Sequence, residues 1–326
     1  MKKLKLNKIS RKIFALALAF VLALSLAACG ANGGVPVIGL SQYGEHASLD
    51  NCRLGFVQGL ADAGLTEGED YTLDYQNAGF DDNIAIQIAQ NFAAQNVALM
   101  CAVATPSATA CYAAAEDKDI PVIYNAISDP EAAGLTVGNI SGVSDKLPVA
   151  AQLQLIRAMQ PDAAVIGILY TTSEPNSVSA IAEYEALAGE YGFTIDAIGV
   201  TAQSEVTQAA DTLLQHGVDC FSNLTDNNVV GVLPSILEKT NEAGVPVYGS
   251  EIEQVKLGCV ASAGIDYFEL GRQAGAMAAR VLAGESAADI PGETVTNFET
   301  YINSAALAEM GISVPADIAE KAIEAE

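Results

Sequence analysis

Asn96-Val97-Ala98-Leu99-Met100, Thr105-Pro106-Ser107 and Ile120-Pro121-Val122-Ile123-Tyr124 follow one another along the chain. The first is a short apolar run and the second a polar turn that can start a helix. The third is another apolar run, entered through proline. The layout returns later as Gly217-Val218-Asp219-Cys220-Phe221, Thr225-Asp226-Asn227 and Val245-Pro246-Val247-Tyr248. Short apolar runs separated by helix-length stretches read as parallel strands joined by crossover helices. Two such series predict two lobes of one topology.

Working outward, residues 35–40, 71–75, 97–103 and 121–124 read as strands of the first series. Residues 48–63 are helical, with Leu49, Cys52, Phe56 and Leu60 on one face, and Gly64 stops them. Ile84, Ile88 and Phe92 mark the next helix, and residues 107–116 form another. In the second series residues 164–170, 193–200, 218–221 and 246–248 are strands, while 146–159, 177–191, 204–215 and 227–243 are helices. The tail adds a strand at 257–263, a helix at 267–282, an extended segment at 294–301 and a short helix at 304–310. The Gly-rich segment 134–144, the stretch near Gly249 and the Pro/Gly stretch 290–292 are the linker candidates. The fold expected is α/β: two doubly wound parallel-sheet lobes joined by a three-strand hinge.

The amino terminus reads differently. Lys2, Lys3, Lys5, Lys8, Arg11 and Lys12 precede an uncharged run at 13–28, and Leu26-Ala27-Ala28-Cys29 follows before a Gly-rich stretch. A basic start, a short apolar core and small residues before a cut site form an export signal. The run falls short of the ~20 residues a membrane-spanning helix needs. Cys29 directly after the small pair makes a lipobox, so residues 1–28 are expected to be removed, Cys29 lipidated, and 29–34 left as a tether. The protein is then exported and anchored to the outer face of the cell membrane.

The remaining 298 of 326 residues suit two domains of roughly 100–200 residues each. The net charge of −25 becomes −31 once the six basic residues are cut off. That repels phosphate backbones and excludes nucleic acid as a partner. Mean hydropathy is positive, +0.28. The long uncharged run 83–115 nevertheless carries Gln87, Gln90, Asn91, Gln95, Asn96 and Pro106, too polar and broken for a span. Beyond Cys29, five cysteines remain without a C-x-x-C pair, and no essential disulfide is expected.

Catalytic signatures are missing. His46 and His216 stand alone, without metal-ligand spacing, so no metal and no cofactor is expected. No G-x-S-x-G elbow, Walker loop or dinucleotide fingerprint occurs. Asp81-Asp82 reads as a helix cap and Glu116-Asp117 as a solvated helix end. Nothing points to an enzyme.

Binding chemistry gathers instead at the predicted strand ends, where doubly wound sheets hold ligands. The turns there are Ser41-Gln42-Tyr43-Gly44-Glu45-His46, Thr105-Pro106-Ser107, Asn125 to Pro130 with Ser128-Asp129, Thr171 to Ser177 with Asn176, Thr225-Asp226-Asn227 and Gly249-Ser250-Glu251. Several start helices, whose free N–H groups favour an anion, so a carboxylate fits at Thr105–Ser107. Asp226 or Asp266 could hold an ammonium. Capping is the competing reading for each turn.

Glu45-His46 before a helix, Ala104-Thr105-Pro106, Ser128-Asp129-Pro130, Gly142-Val143-Ser144-Asp145, Asn176-Ser177, Thr225-Asp226-Asn227 and Gly264-Ile265-Asp266-Tyr267-Phe268-Glu269-Leu270-Gly271-Arg272-Gln273 occur in this order. Over about residues 35–312 the chain resembles the ABC transporter substrate-binding lipoproteins of the tryptophan/tyrosine-binding type. Ala47 departs from the pattern, where the family usually has Pro. The resemblance implies a type I periplasmic-binding-protein fold, with lobes at 35–143 plus 251–290 and at 144–250 plus 291–326. It implies a monomer that closes like a hinged clamp on a small amino acid, often aromatic, and delivers it to a permease and ATPase. By the same analogy Thr105, Ser107, Ser128, Asp129, Thr225, Asp226, Asn227 and Asp266 contact the ligand. Tyr43, Phe80, Tyr124 and Tyr170 are candidates for packing on its side chain, and Glu45, Asn176 and Ser250 complete the expected set. Alternatives are a sensory lipoprotein with the same cleft, or a binder of a nucleoside or sugar.

Overall fold

The computed structural model describes residues 34–325. The expected signal segment and Cys29 lie outside the described residues. Strands β1 (Val37–Gln42), β2 (Thr72–Asn77), β3 (Leu99–Val103), β4 (Val122–Asn125) and β5 (Ile140–Ser144) alternate with helices α1 (Ala47–Asp62), α2 (Asp82–Gln95) and α3 (Thr105–Ala115). The second series runs α4 (Val149–Met159), β6 (Val165–Thr171), α5 (Pro175–Leu187), β7 (Thr194–Val200), α6 (Val206–His216), β8 (Cys220–Ser222), α7 (Asn227–Gly231), α8 (Leu233–Ala243) and β9 (Val247–Tyr248). Then come α9 (Ile252–Leu257), β10 (Ala261–Gly264), α10 (Tyr267–Leu282), β11 (Glu293–Thr294), β12 (Glu299–Ile302), two short helices and β13 (Ile323–Glu324).

The first sheet is parallel throughout, in the order β11-β5-β4-β3-β1-β2. β3 lies near its centre and is wholly buried, which is why it reads as an unbroken apolar run. The second sheet, β7-β6-β8-β9, is also parallel. A third, β10-β12-β13, joins an antiparallel and a parallel pair. In the first sheet α1 packs along α10 and α2 along α3. The α1–α10 pair touches backbone to backbone. A Cβ on Gly55, Gly59, Gly271 or Gly275 would come within 2.0–2.2 Å of a carbonyl oxygen of the other helix.

The first core joins Ile38, Leu40, Met100, Val103 and Ile123 to Leu270, Ala274 and Met277. The second half fills two clusters, one around Leu153, Ile166 and Tyr184 and one around Leu213, Phe221 and Val229. The chain leaves the first core after Val143, returns between Ala263 and Ile265, and leaves again between Phe298 and Tyr301. Val37–Glu326 still clusters as one body.

Two stretches differ from expectation. Val255, Cys259, Ala261 and Ala263, expected in the first lobe, pack into the second half. Glu293 and Thr294, expected in the second lobe, pair with β5 of the first sheet. The first crossing, after Val143, lies at the end of the expected 134–144 segment; Gly249 and Pro291 do not mark the other two, which run through the end of β10 and the start of β12. Among the described residues all five cysteines are free and buried, no helix is long and apolar enough to cross a membrane, and no three His, Cys, Asp or Glu side chains cluster to hold a metal.

Candidate functional site

The carboxyl ends of both large sheets meet around a narrow cavity, about 20 Å³ of free space in this closed arrangement. The first half contributes His46, Leu49, Thr105, Ala126 and Ser128; the second contributes Asn176, Thr225, Asn227 and Val230. Asp145, Glu251, Gln254 and Tyr267, beside the crossings, complete the wall with Ser48 and Ala104. No lysine or arginine lines it. A wider groove of about 840 Å³ runs along 128–147, α5 and 288–294, and shares Ser128 and Asn176 with the cavity. The smaller space is the better site, because strand ends of both sheets converge on it.

Backbone strain marks the same place. Ala104 and Ala126, directly after β3 and β4, hold φ of 76° and 61°, a region that costs a residue bearing a Cβ. The Ala104 turn leaves α3 without a side-chain cap and without an acidic residue in its first turn. The first N–H groups of α3 and its dipole therefore favour an anion beside Thr105.

Across the cavity lies a network of buried carboxyls and amides. Glu174 Oε2 accepts from the Asn227 backbone N (3.2 Å), Asn227 Nδ2 (2.7 Å) and Asn176 Nδ2 (3.2 Å). Asn176 Nδ2 also faces Ser177 Oγ and the Thr225 carbonyl, both at 3.4 Å. These acceptors fix the amide orientation, so Oδ1 is the free end of Asn176, and it is buried without a donor. Burial pushes the Glu174 carboxyl up to about 8, and the neighbouring Asp226 charge adds to this.

Asp226 does not reach the cavity. Oδ2 accepts from the Thr171 backbone N (2.6 Å) and Ser177 Oγ (2.7 Å), and Oδ1 from Thr171 Oγ1 (2.8 Å) and the Val229 backbone N (3.0 Å). Its oxygens are fully used in tying β6, α5 and α7 together. Asp266 is exposed and caps α10 through the Phe268 and Glu269 backbone N–H groups.

The remaining expected residues divide in the same way. Thr105, Ser128, Asn176, Thr225 and Asn227 line the cavity. Ser107 Oγ accepts from Ser41 Oγ at 3.2 Å behind it. Ser250 is held by Gln254, and Glu45 is exposed. Asp129 Oδ2 accepts from Ser179 Oγ at 2.8 Å, linking the β4 turn to α5 of the other half. Ser128 Oγ donates to Asp145 Oδ1 and stands 3.3 Å from Thr225 Oγ1, a second link between the halves. Tyr43 is buried beneath Phe80 and donates to Asp82 Oδ1 at 2.8 Å. Tyr124 lines the wider groove, and Tyr170 packs on the second core.

Phe80 lies beside His46, outside the cavity lining. Its ring covers Gly44, reaches Gly231 of the other half and stacks parallel to His46 at 6.3 Å between centroids. Both ring nitrogens of His46 are shielded; neither makes a well-aligned hydrogen bond, and the Asn227 side chain lies beside one of them. Burial holds the imidazole down at about 4, so it is neutral at neutral pH. Glu251, pushed up to about 7 by burial, accepts from Ser48 Oγ at 3.0 Å, and Asp145 accepts from the Tyr267 hydroxyl. Asp145, Glu251 and Tyr267 stood in the quoted motifs and turns but were not singled out as lining residues. Val230 sits inside an expected helix and Gln254 in a stretch given no element, and neither carried a signal.

The description "ABC transporter substrate binding protein" matches residues 37–326. The chain is 37% identical over 315 residues to the tyrosine-binding protein of Clostridioides difficile, covering 90% of each. A crystal structure of an ABC domain from Streptococcus pneumonia in complex with L-Trp is 31% identical, with a TM-score of 0.85 over 89% of this chain and 99% of that one. The ligand-free, open structure of a substrate binding protein with adhesive properties from Clostridium difficile is 35% identical over 90% of this chain and all of that one, but its TM-score is 0.65. The more similar sequence thus has the less similar shape, and the arrangement here follows the ligand complex. With its two parallel sheets the fold is of the type I periplasmic-binding-protein kind, and the chain belongs to the ABC transporter substrate binding protein family.

Proposed function

We propose that this chain is the solute receptor of an ABC importer, taking an aromatic amino acid between two hinged lobes and handing it to a permease and its ATPase. The observation that carries the reading is the buried cavity at the strand ends, where an unpaired acceptor, Asn176 Oδ1, faces a wall that contains no basic side chain. An ammonium group satisfies Asn176, with Glu174 behind it. The ligand carboxylate sits at the start of α3, against Thr105 and Ser128. Its side chain extends towards Leu49 and Val230. The likeness to the L-Trp complex and to the tyrosine-binding protein supports an aromatic ligand.

Capture needs no bond to break, so the role is binding and not catalysis. The hinge would lie in the three crossings, with Asp129–Ser179 and Ser128–Thr225 formed on closure. The export signal would carry the monomer out and be removed, and a lipidated Cys29 would hold it to the outer face of the membrane. The test is thermal unfolding against a panel of amino acids, nucleosides and sugars. Ligand at 100 times Kd adds about 2.7 kcal/mol, so an aromatic amino acid is expected to raise the melting temperature by several degrees. A shift with a sugar or nucleoside and none with any amino acid would reject the ligand assignment.

A further inference from the structure

His46 is one of two histidines in the sequence, and the reading above gives it no role. It precedes α1 with extended backbone, and its side chain makes no capping hydrogen bond. The ring is therefore not held there to finish the helix. It lines the cavity with both nitrogens buried and neither in a well-aligned hydrogen bond; the Asn227 side chain stands beside one of them as an acceptor, which leaves the other nitrogen free to accept, and the ring's face lies parallel to Phe80. Buried polar atoms in native proteins have partners, and one left alone calls for an explanation.

Its position in the sheet supplies one. The first sheet orders its strands β5-β4-β3-β1-β2. Ser128 follows β4, Thr105 follows β3 and His46 follows β1, so His46 lies beyond Thr105 as seen from Ser128. Asn176 and Thr225 stand at the Ser128 end, joined by the contact of Asn176 Nδ2 with the Thr225 carbonyl. That end receives the ammonium and carboxylate. His46, with Leu49 and Val230, stands where the side chain arrives.

We infer that His46 is the residue that reads the ligand's side chain, accepting a hydrogen bond from a polar group on an aromatic ring, a phenol O–H or an indole N–H. This rests on the amino-acid reading above. A neutral imidazole offers one acceptor and one donor nitrogen, which suits such a group. A phenyl ring leaves the accepting nitrogen unpaired, and sites built to pair a polar group reject the analogue lacking it.

The test is calorimetric titration of the whole mature chain with tyrosine, tryptophan and phenylalanine, in wild type and in His46→Phe. That variant keeps a ring to stack on Phe80 and removes both nitrogens. Wild type is expected to prefer tyrosine or tryptophan over phenylalanine by about tenfold or more. In His46→Phe the preference should shrink to about threefold or less. An unchanged preference, or an equal loss for all three ligands, would overturn the assignment. Nitrogen-15 NMR of the wild-type imidazoles checks the same claim without a variant. The His46 ring resonances should move on adding tyrosine or tryptophan and stay with phenylalanine, while His216 is silent throughout; equal movement with all three would contradict it. If wild type binds none of the three, the amino-acid reading fails first and takes this one with it.

Discussion

Asp226 shows how much the meaning of a single residue depends on what surrounds it. In the sequence it is a carboxylate at a strand end, fit to hold an ammonium or to cap a helix. In the fold four donors consume both oxygens, and it becomes a structural knot beside the site. Asp226→Ala is expected to lower the stability of the ligand-free protein by about 3 kcal/mol, since buried donors lose a charged acceptor. Asp266→Ala, which removes only an exposed cap, costs about 1 kcal/mol. Melting curves without ligand distinguish the two; an unshifted Asp226→Ala would return that carboxylate to ligand binding. Glu174 carries a pH signature. Its folded value, about 8, lies above the ordinary carboxyl value of 4.5, so the folded state prefers the proton. Its contribution is fully present below the ordinary value and is lost as pH rises through about 8. The melting temperature of the ligand-free protein should therefore fall between pH 5 and pH 8, and Glu174→Gln should flatten that fall. A slope unchanged in the variant would assign the effect elsewhere.

Elements were easier to read than contacts between them. The apolar run that becomes β3 and its counterpart that becomes β8 were legible because strands buried on both faces need continuous apolar residues. The crossing after Val143 was read from the Gly-rich segment before it, but the other two were not, because glycine and proline punctuate turns everywhere and those segments look like any strand. Five of the expected site residues line the cavity because a turn after a parallel strand must face the ligand end of its sheet. Which hydroxyl or carboxyl points inward depends on partners in distant segments, such as Ser41 for Ser107 or Thr171 for Asp226. The α1–α10 contact was likewise invisible, although its glycines were in plain view. Gly275→Ala places a Cβ 2.2 Å from the Phe56 carbonyl oxygen. Separating the helices is expected to cost about 2 kcal/mol or more. Gly189→Ala, with nothing within 4 Å of the added carbon, should be close to neutral. Equal melting temperatures for the two variants would refute the close packing.

At the scale of the molecule, the proposed reading turns on closure of the two halves. The two halves have separate cores, and Asp129–Ser179 spans them in the arrangement that resembles a ligand complex. If that bond forms on closure, as proposed, Ser179→Ala should weaken ligand binding by about threefold to tenfold through the closed-state population, without altering any cavity side chain. Stopped-flow fluorescence should show the loss as faster dissociation; unchanged dissociation would remove Asp129–Ser179 from the closing contacts. The most direct test of the whole account is small-angle X-ray scattering of the mature protein with and without a saturating aromatic amino acid. The account predicts a larger radius of gyration without ligand, contracting on addition to the value calculated from the arrangement described here. Identical scattering curves, with calorimetry showing the ligand bound, would contradict it.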